Sequence, residues 1–434
     1  MRKYLEYKNS NELWYKEIPN NWNILRLKDI TRNLTSGATP SSGNATYYND
    51  GTINWLNTGD LNDGIIINTV KKLNKDVFKD YPNLKIQKKG TLVIAMYGAT
   101  IGKLGLLDID ATTNQACCCL NLSKSFNSKY YFYLLLSNKQ NIISLSVGGT
   151  QPNVSQSILA HIKLIAPPFS EQQAIANYLD AKTQAIDKKI SLLEQKIETY
   201  KQLKRTLINQ TITKGLRSLS EVEMKDSGIS WIGQIPQHWE VKRFKDVVKK
   251  YTTGGTPSTS NRSYFEGDNV WISIGDIGDT KYISDSSIYL TDEAIKDANI
   301  VKTPKGSLLY SFKLSIGKMA FTTKDVYTNE AILSIFPNKN IDLEYYYFML
   351  PTYLELAATE NIYGAKMLNQ KLIANALVIH PPKSEQEEIA KYLDHKTTTI
   401  YAIVGNISKQ IETLKQLRKT LINDVVTGKI KVVE

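Results

Sequence analysis

Pro167-Pro168-Phe169-Ser170-Glu171-Gln172 recurs 214 residues later as Pro381-Pro382-Lys383-Ser384-Glu385-Gln386. From there the copies run without a gap through Ile197-Glu198-Thr199 and Ile411-Glu412-Thr413, with 24 identities in the 50 positions 167–216 and 381–430. A weaker repeat precedes each stretch. Trp14, Ile18-Pro19 and Trp22 match Trp231, Ile235-Pro236 and Trp239; Gly37-Ala38-Thr39-Pro40-Ser41 matches Gly254-Gly255-Thr256-Pro257-Ser258. Gly59-Asp60 matches Gly275-Asp276, and Asn114-Gln115-Ala116 matches Asn329-Glu330-Ala331. The 434-residue chain is therefore one unit of about 216 residues written twice, with pseudo-twofold internal symmetry.

Each unit ends in a helical part. Residues 170–211 lack Pro and Gly, and Ser170 with Glu171 supplies an N-cap and an acidic first turn. Apolar residues recur in steps of four and three at Ile186, Ile190, Leu193, Ile197, Tyr200 and Leu207, broken only at Lys204. The second copy repeats the register at Ile400, Val404, Ile407, Ile411, Leu414 and Leu421, broken at Arg418. That is coiled-coil spacing, and a seam this long needs a partner. The equivalent seam on the same chain supplies one, so an intramolecular antiparallel pair is expected. The preceding parts read as mixed α/β, with buried strands at 91–97 and 307–312 and short helices at Tyr130–Leu136 and Tyr345–Leu350. The predicted class is α+β: two mixed α/β domains (1–166 and 217–380) separated by two long helices (167–216 and 381–434) that form a coiled coil.

Composition narrows the function. At 42% hydrophobic and 22% charged residues the chain is an ordinary globular protein, and its net +12 favours an anionic partner. The longest apolar run, Tyr130–Leu136, is far short of the ~20 residues a spanning helix needs. Met1–Glu6 carries no apolar core of the signal-peptide kind. Cys117, Cys118 and Cys119 are adjacent, point alternately to opposite faces of a strand and cannot wrap a metal. A reduced, cytoplasmic chain without a membrane partner is expected. Charge is uneven: residues 1–166 carry +8, 167–216 carry +3, 217–380 carry −1 and 381–434 carry +2.

Catalytic signatures are missing. Gly98–Leu104 is one residue short of a Walker loop and lacks its Mg²⁺-holding hydroxyl. Ala166-Pro167-Pro168-Phe169 and His380-Pro381-Pro382-Lys383 lack the Asn or Asp that an adenine methyltransferase places before Pro-Pro. His161, His238, His380 and His395 are scattered without metal-ligand spacing. Asp292-Glu293-Ala294 has the look of a helicase box but stands without a Walker loop. The chain is expected to catalyse nothing itself and to hold no cofactor or metal.

In motif order and duplication the sequence resembles the specificity subunit of Type I restriction–modification enzymes. The matching elements are Ile-Pro-x-x-Trp, Gly-x-Thr-Pro-Ser and Gly-Asp in both halves, Gly149-Thr150-Gln151-Pro152-Asn153, and Pro-Pro-x-Ser-Glu-Gln opening each long helix. Gly364–Asn369 departs from the pattern, lacking the Thr-Gln of the first copy. The resemblance implies two target recognition domains that read the halves of a bipartite double-stranded DNA site in the major groove, where base edges are distinguishable. It implies a helical ruler between them that docks two adenine-N6 methyltransferase subunits and restriction/translocase subunits, with S-adenosylmethionine, ATP and Mg used by those partners. A stand-alone DNA-binding scaffold or regulator is the alternative. Candidate DNA-binding residues are Thr39, Ser41, Asn114, Gln151, Thr256, Ser258 and Asn329, with Lys71, Lys72, Lys88, Lys89, Lys242 and Lys249 for the backbone. Because both copies share the Gly-x-Thr-Pro-Ser loop while the two domains must read different sequences, that loop is better suited to maintaining the fold or touching phosphate.

Overall fold

The computed structural model describes residues 3–148, 152–216, 222–278, 280–313, 315–360 and 366–432. The chain divides into two compact units, Met1–Glu194 with Ser408–Glu434, and Gln195–Ile407. Each contains a mixed α/β domain and one segment of each long helix, Phe169–Lys214 and Lys383–Val426. The repeat therefore assembles by exchange, since each unit borrows helix from the other half of the sequence.

The first unit is built on a five-stranded sheet in the order Thr31–Ser36, Cys117–Leu122, Leu92–Ala95, Leu104–Leu107, Gly64–Ile66. All pairs are antiparallel except the last, Gly64–Ile66 against Leu104–Leu107. Beside it lies a three-stranded sheet, Thr112–Thr113, Ile53–Leu56, Lys71–Leu73. The second unit repeats both: Tyr251–Thr253, Ile332–Ile335, Leu308–Ser311, Met319–Thr322, Tyr282–Ile283, and then Tyr289–Leu290, Asn269–Ile272, Tyr327–Thr328. The three cysteines alternate as a strand requires: Cys118 enters one core, and Cys117 and Cys119 enter the core on the other side. Burial pushes all three thiols up, Cys119 to about 11. The predicted short helices extend over Ser128–Ser137 and Leu343–Leu356, the latter running through Pro351.

The Pro-Pro-x-Ser-Glu-Gln motif is the joint between domain and helix. Ser170 is not the cap: the helices begin at Phe169 and Lys383, and the carbonyls of Pro168 and Pro382 accept the first helical bonds, from Gln172 and Gln386. The preceding proline pair, with its fixed φ, already sets the entry. Glu171 and Glu385 each accept the indole N–H of the Ile-Pro-x-x-Trp tryptophan, Trp22 and Trp239, at 2.9 Å in both units. Gln172 Nε2 donates to Pro167 O at 2.8 Å while its Oε1 accepts from Asn127 N at 2.9 Å. Gln386 does the same with Pro381 O and Asp342 N, at the same distances. Asn127 and Asp342 in turn cap the aromatic-rich helices Ser128–Ser137 and Leu343–Leu356. Two motifs that stand apart in the sequence therefore latch to one another.

The long helices pair antiparallel within each unit. In the first, Ile175, Ala176 and Leu179 share a core with Leu421, Ile422, Val425 and Val426, and Asp187 further along meets Arg418. In the second, Ile212 packs with Ile389, Ala390 and Leu393, and Lys204 meets Tyr401. The residues that interrupt the apolar seam are thus its polar contacts. Arg418 forms a two-pronged ion pair with Asp187, Nε to Oδ1 at 2.8 Å and Nη2 to Oδ2 at 3.1 Å. Lys204 donates to the Tyr401 hydroxyl at 2.8 Å and lies 4.5 Å from its ring centre. The predicted seam positions are the inward ones: Ile400, Ile407, Ile411 and Leu421 are buried, and Ile186, Ile190, Leu193, Ile197, Leu207, Val404 and Leu414 are half-buried.

Replacing Gln386 with Leu leaves the Asp342 amide and the Pro381 carbonyl buried and unpaired. Urea unfolding followed by Trp239 fluorescence should show a loss of about 1–3 kcal/mol in the second unit, against little change for the exposed Lys391→Ala.

Candidate nucleic-acid interface

The Gly-x-Thr-Pro-Ser loop enters each domain over the three-stranded sheet. Its first glycine is obligatory: a Cβ on Gly37 would lie 1.6 Å from Thr113 O, and one on Gly254 would lie 1.7 Å from Thr328 O. The indole of Trp55 donates to Ala38 O at 3.2 Å, and that of Trp271 to Gly255 O at 3.0 Å. Thr39 donates to Gln115 Oε1 and Thr256 to Glu330 Oε2. The two threonines proposed for DNA contact are exposed, and each makes an equivalent intramolecular hydrogen bond. Asn114 and Asn329 donate backbone N–H to Leu56 O and Ile272 O, each at 3.0 Å. Ser41 and Ser258 remain exposed, Ser258 sharing a 2.8 Å hydrogen bond with Ser260. Gln151 lies outside the described residues.

The cationic candidates divide into two kinds. Lys88 is paired with Asp110 at 2.7 Å and Lys89 with Asp108 at 2.6 Å, and Lys242 bridges to Glu240. The Lys88 contact holds the Asp110 carboxyl below its ordinary value. These charges are largely answered locally. Lys71 and Lys72 are exposed on the edge strand Lys71–Leu73 and Lys249 is exposed beyond Phe244–Val247, with no acidic partner within ion-pair distance among the described residues.

The Gly-Asp motif organises the loop leading to that edge strand, a role the sequence reading did not assign. Asp60 accepts from the amides of Asn57 (2.8 Å) and Val70 (3.1 Å). Asp276 accepts from the Ser273 amide (2.8 Å), the Ser273 and Ser286 hydroxyls (2.7 and 3.1 Å) and the Ser287 amide (3.5 Å). Burial works against ionising Asp276, but these donors outweigh it and hold the carboxyl below the ordinary range. Spacing was the available signal, because Ile66 to Leu73 and Ile283 to Leu290 are equally long and both follow Gly-Asp. Among the described residues no cluster of His, Cys, Asp and Glu could hold a metal ion, and no helix is long and apolar enough to cross a membrane.

Comparison with known proteins agrees with this duplicated architecture. The Type I restriction modification DNA specificity domain family matches residues 19–199 and 236–413. The Type I restriction enzyme MjaVIII specificity subunit of Methanocaldococcus jannaschii is 23% identical over 446 aligned residues, covering 99% of this chain and 97% of that protein. The MjaIX specificity subunit of the same organism is 29% identical over 202 residues, a match that spans 45% of each. Among solved structures, the HsdS subunit of Thermoanaerobacter tengcongensis superposes with a TM-score of 0.57 at 17% identity, covering 96% of this chain and all of that one. A chain from a study of complex assembly and conformational transition in the type I R-M system reaches 0.74, also at 17% identity, covering 95% and 99%.

An Asp whose folded pKa is depressed stabilises its surroundings above its ordinary pKa, and that contribution is lost as pH falls through the folded value. Hydrogen-exchange protection of residues 284–288 should therefore hold from about pH 8 to about pH 5 and collapse below about pH 4. In Asp276→Asn the protection should be weaker throughout and independent of pH.

Proposed function

The chain belongs to the Type I restriction–modification specificity subunits, which are non-catalytic, and from that premise we propose that its two globular domains read the two halves of a bipartite DNA target. In this reading residues 1–166 and 217–380 are the recognition domains. Residues 167–216 and 381–434 form the helical ruler, which also docks two adenine-N6 methyltransferase subunits and, in a restriction complex, translocase/nuclease subunits. S-adenosylmethionine, ATP and Mg belong to those partners, and the complex works in the cytoplasm.

The observation that carries the reading is that one internal framework occurs twice while the surfaces it displays differ. Trp–Glu latch, Gln bridge and glycine clash recur in both units, and the Asp-held loop keeps its two amide contacts in both, with two added serine hydroxyls in the second. The domains nevertheless carry +8 and −1. A protein that bound one sequence twice would have no use for that divergence. Docking has its own support: Leu203 and Leu417, equivalent under the 214-residue offset, are 51% and 53% exposed on the long helices. Two copies of one partner would each meet such a leucine.

Expressed with its methyltransferase subunits in a host lacking adenine methylation, the chain should direct methylation to a single asymmetric two-part motif, read by long-read sequencing. Scattered methylation without a motif would contradict the reading. Leu203→Asp with Leu417→Asp should prevent recovery of the complex by size-exclusion chromatography while leaving the chain folded. Lys71→Ala with Lys72→Ala should weaken binding to all duplexes alike and lower the slope of log affinity against log salt by about 2.

A further inference from the structure

We propose that the loop from Ile66 to Leu73 in the first domain, and its counterpart from Ile283 to Leu290 in the second, is the base-reading element, a common backbone frame displaying different side chains. This rests on the reading of the chain as a DNA specificity subunit.

The frame is shared at its ends and at the Gly-Asp contact. Ile66 and Ile283 are buried at the edge of the five-stranded sheet, and Leu73 and Leu290 are buried at 0% exposure in the three-stranded one. Between them a hydroxyl residue turns inward: Thr69 donates to Lys71 O at 2.8 Å and Ser286 to Trp271 O at 2.7 Å. The next amide, of Val70 or Ser287, is taken by the Gly-Asp carboxylate. The backbone is thus anchored at equivalent positions in both copies, although the inward hydroxyl reaches a different carbonyl in each.

What faces outward is not shared. In the first domain Ile67 is 74% exposed and Val70 91%, with Asn68, Lys71 and Lys72 also exposed. The corresponding residues of the second domain are Ser284, Ser287 and Asp285, all exposed, with Ile288 and Tyr289 half-buried. The Tyr289 hydroxyl donates to Asp285 Oδ1 at 2.6 Å and holds that carboxylate in place. The exposed side chains of the first loop, and Ser284, Asp285 and Ser287 of the second, lie outside the core clusters, whereas Ile288 and Tyr289 pack at the margins of two of them.

Their chemistry fits base edges. Branched aliphatic groups match the thymine methyl, an Asn side chain matches adenine, and Ser and Asp accept from the cytosine amino group. The adjoining lysines of the first loop supply phosphate contacts without sequence preference. Two domains that read different half-sites need such a division between a constant frame and a variable display. The Gly-x-Thr-Pro-Ser loop, whose threonine is bound internally in both copies, lacks it.

The test uses the full chain in complex with its methyltransferase subunits. Grafting residues 284–289 in place of 67–72 should change the first half of the methylated motif and leave the second half and the spacing as they were. In parallel, Ile67→Ser and Val70→Ser alter only exposed side chains. Each should lower the methylation rate at the cognate site about tenfold with unchanged affinity for non-cognate duplex. An unchanged motif in the graft, or unchanged cognate rates in both point variants, would overturn the assignment. So would an equal loss on cognate and non-cognate DNA. If the graft abolishes methylation, the two point variants decide. An unsubstituted chain that directs methylation to no motif would instead remove the functional reading on which the assignment rests.

Discussion

One hydrogen bond, from a buried indole to a carboxylate in the first turn of a long helix, sets the geometry of each unit. Glu171 and Glu385 sit where the helix dipole favours a negative charge, and the donors around them make burial of that charge tolerable. Trp22 and Trp239 are 0% exposed, so neither indole N–H has water as an alternative partner. Tyr4 adds a second donor to Glu171, and His238 meets Glu385 at 2.6 Å. Gln172 and Gln386 extend the same joint to the caps of the neighbouring aromatic helices. Each globular domain and its long helix thus meet through directional polar bonds, which resist slippage better than an apolar contact.

The seam between the helices follows the same logic. A continuous apolar stripe would tolerate sliding by a heptad, whereas a polar residue at one seam position specifies register at some cost in stability. Arg418 with Asp187 and Lys204 with Tyr401 are equivalent positions under the repeat, solved by different chemistry: an ion pair in one unit and a hydrogen bond with a cation–π contact in the other. The two copies share the positions and differ in the partners. If the helices act as the proposed ruler, a fixed register is a functional requirement.

Duplication with divergence also accounts for part of the charge difference between the domains. The first domain places Lys71 and Lys72 where the second has Ile288 and Tyr289. The first therefore presents cations of its own beside its reading loop, while the second presents an Asp and serines. Steering toward DNA by the excess charge is consequently a property mainly of the first domain.

Much of this was legible in the sequence. The repeat, both long helices and the seam residues Ile400, Ile407, Ile411 and Leu421 follow from local periodicity and an ungapped match, signals confined to a few turns of chain. The alternating cysteines were predictable for the same reason. The parallel pairing of Gly64–Ile66 with Leu104–Leu107, the latch between residues 149 apart, and the inward and outward sides of Ile66–Leu73 were not. That Thr39 and Thr256, both exposed, each donate to the residue after the Asn of their repeat, Gln115 and Glu330, was not legible in the sequence either. By itself the sequence determined that one architecture occurs twice and that its helices seek each other, because periodicity and repetition are properties of neighbouring residues. Only the tertiary structure decided which shared residues are consumed in holding that architecture and which unshared ones are left facing solvent. Burial and hydrogen-bond satisfaction depend on groups that meet only when the chain has folded.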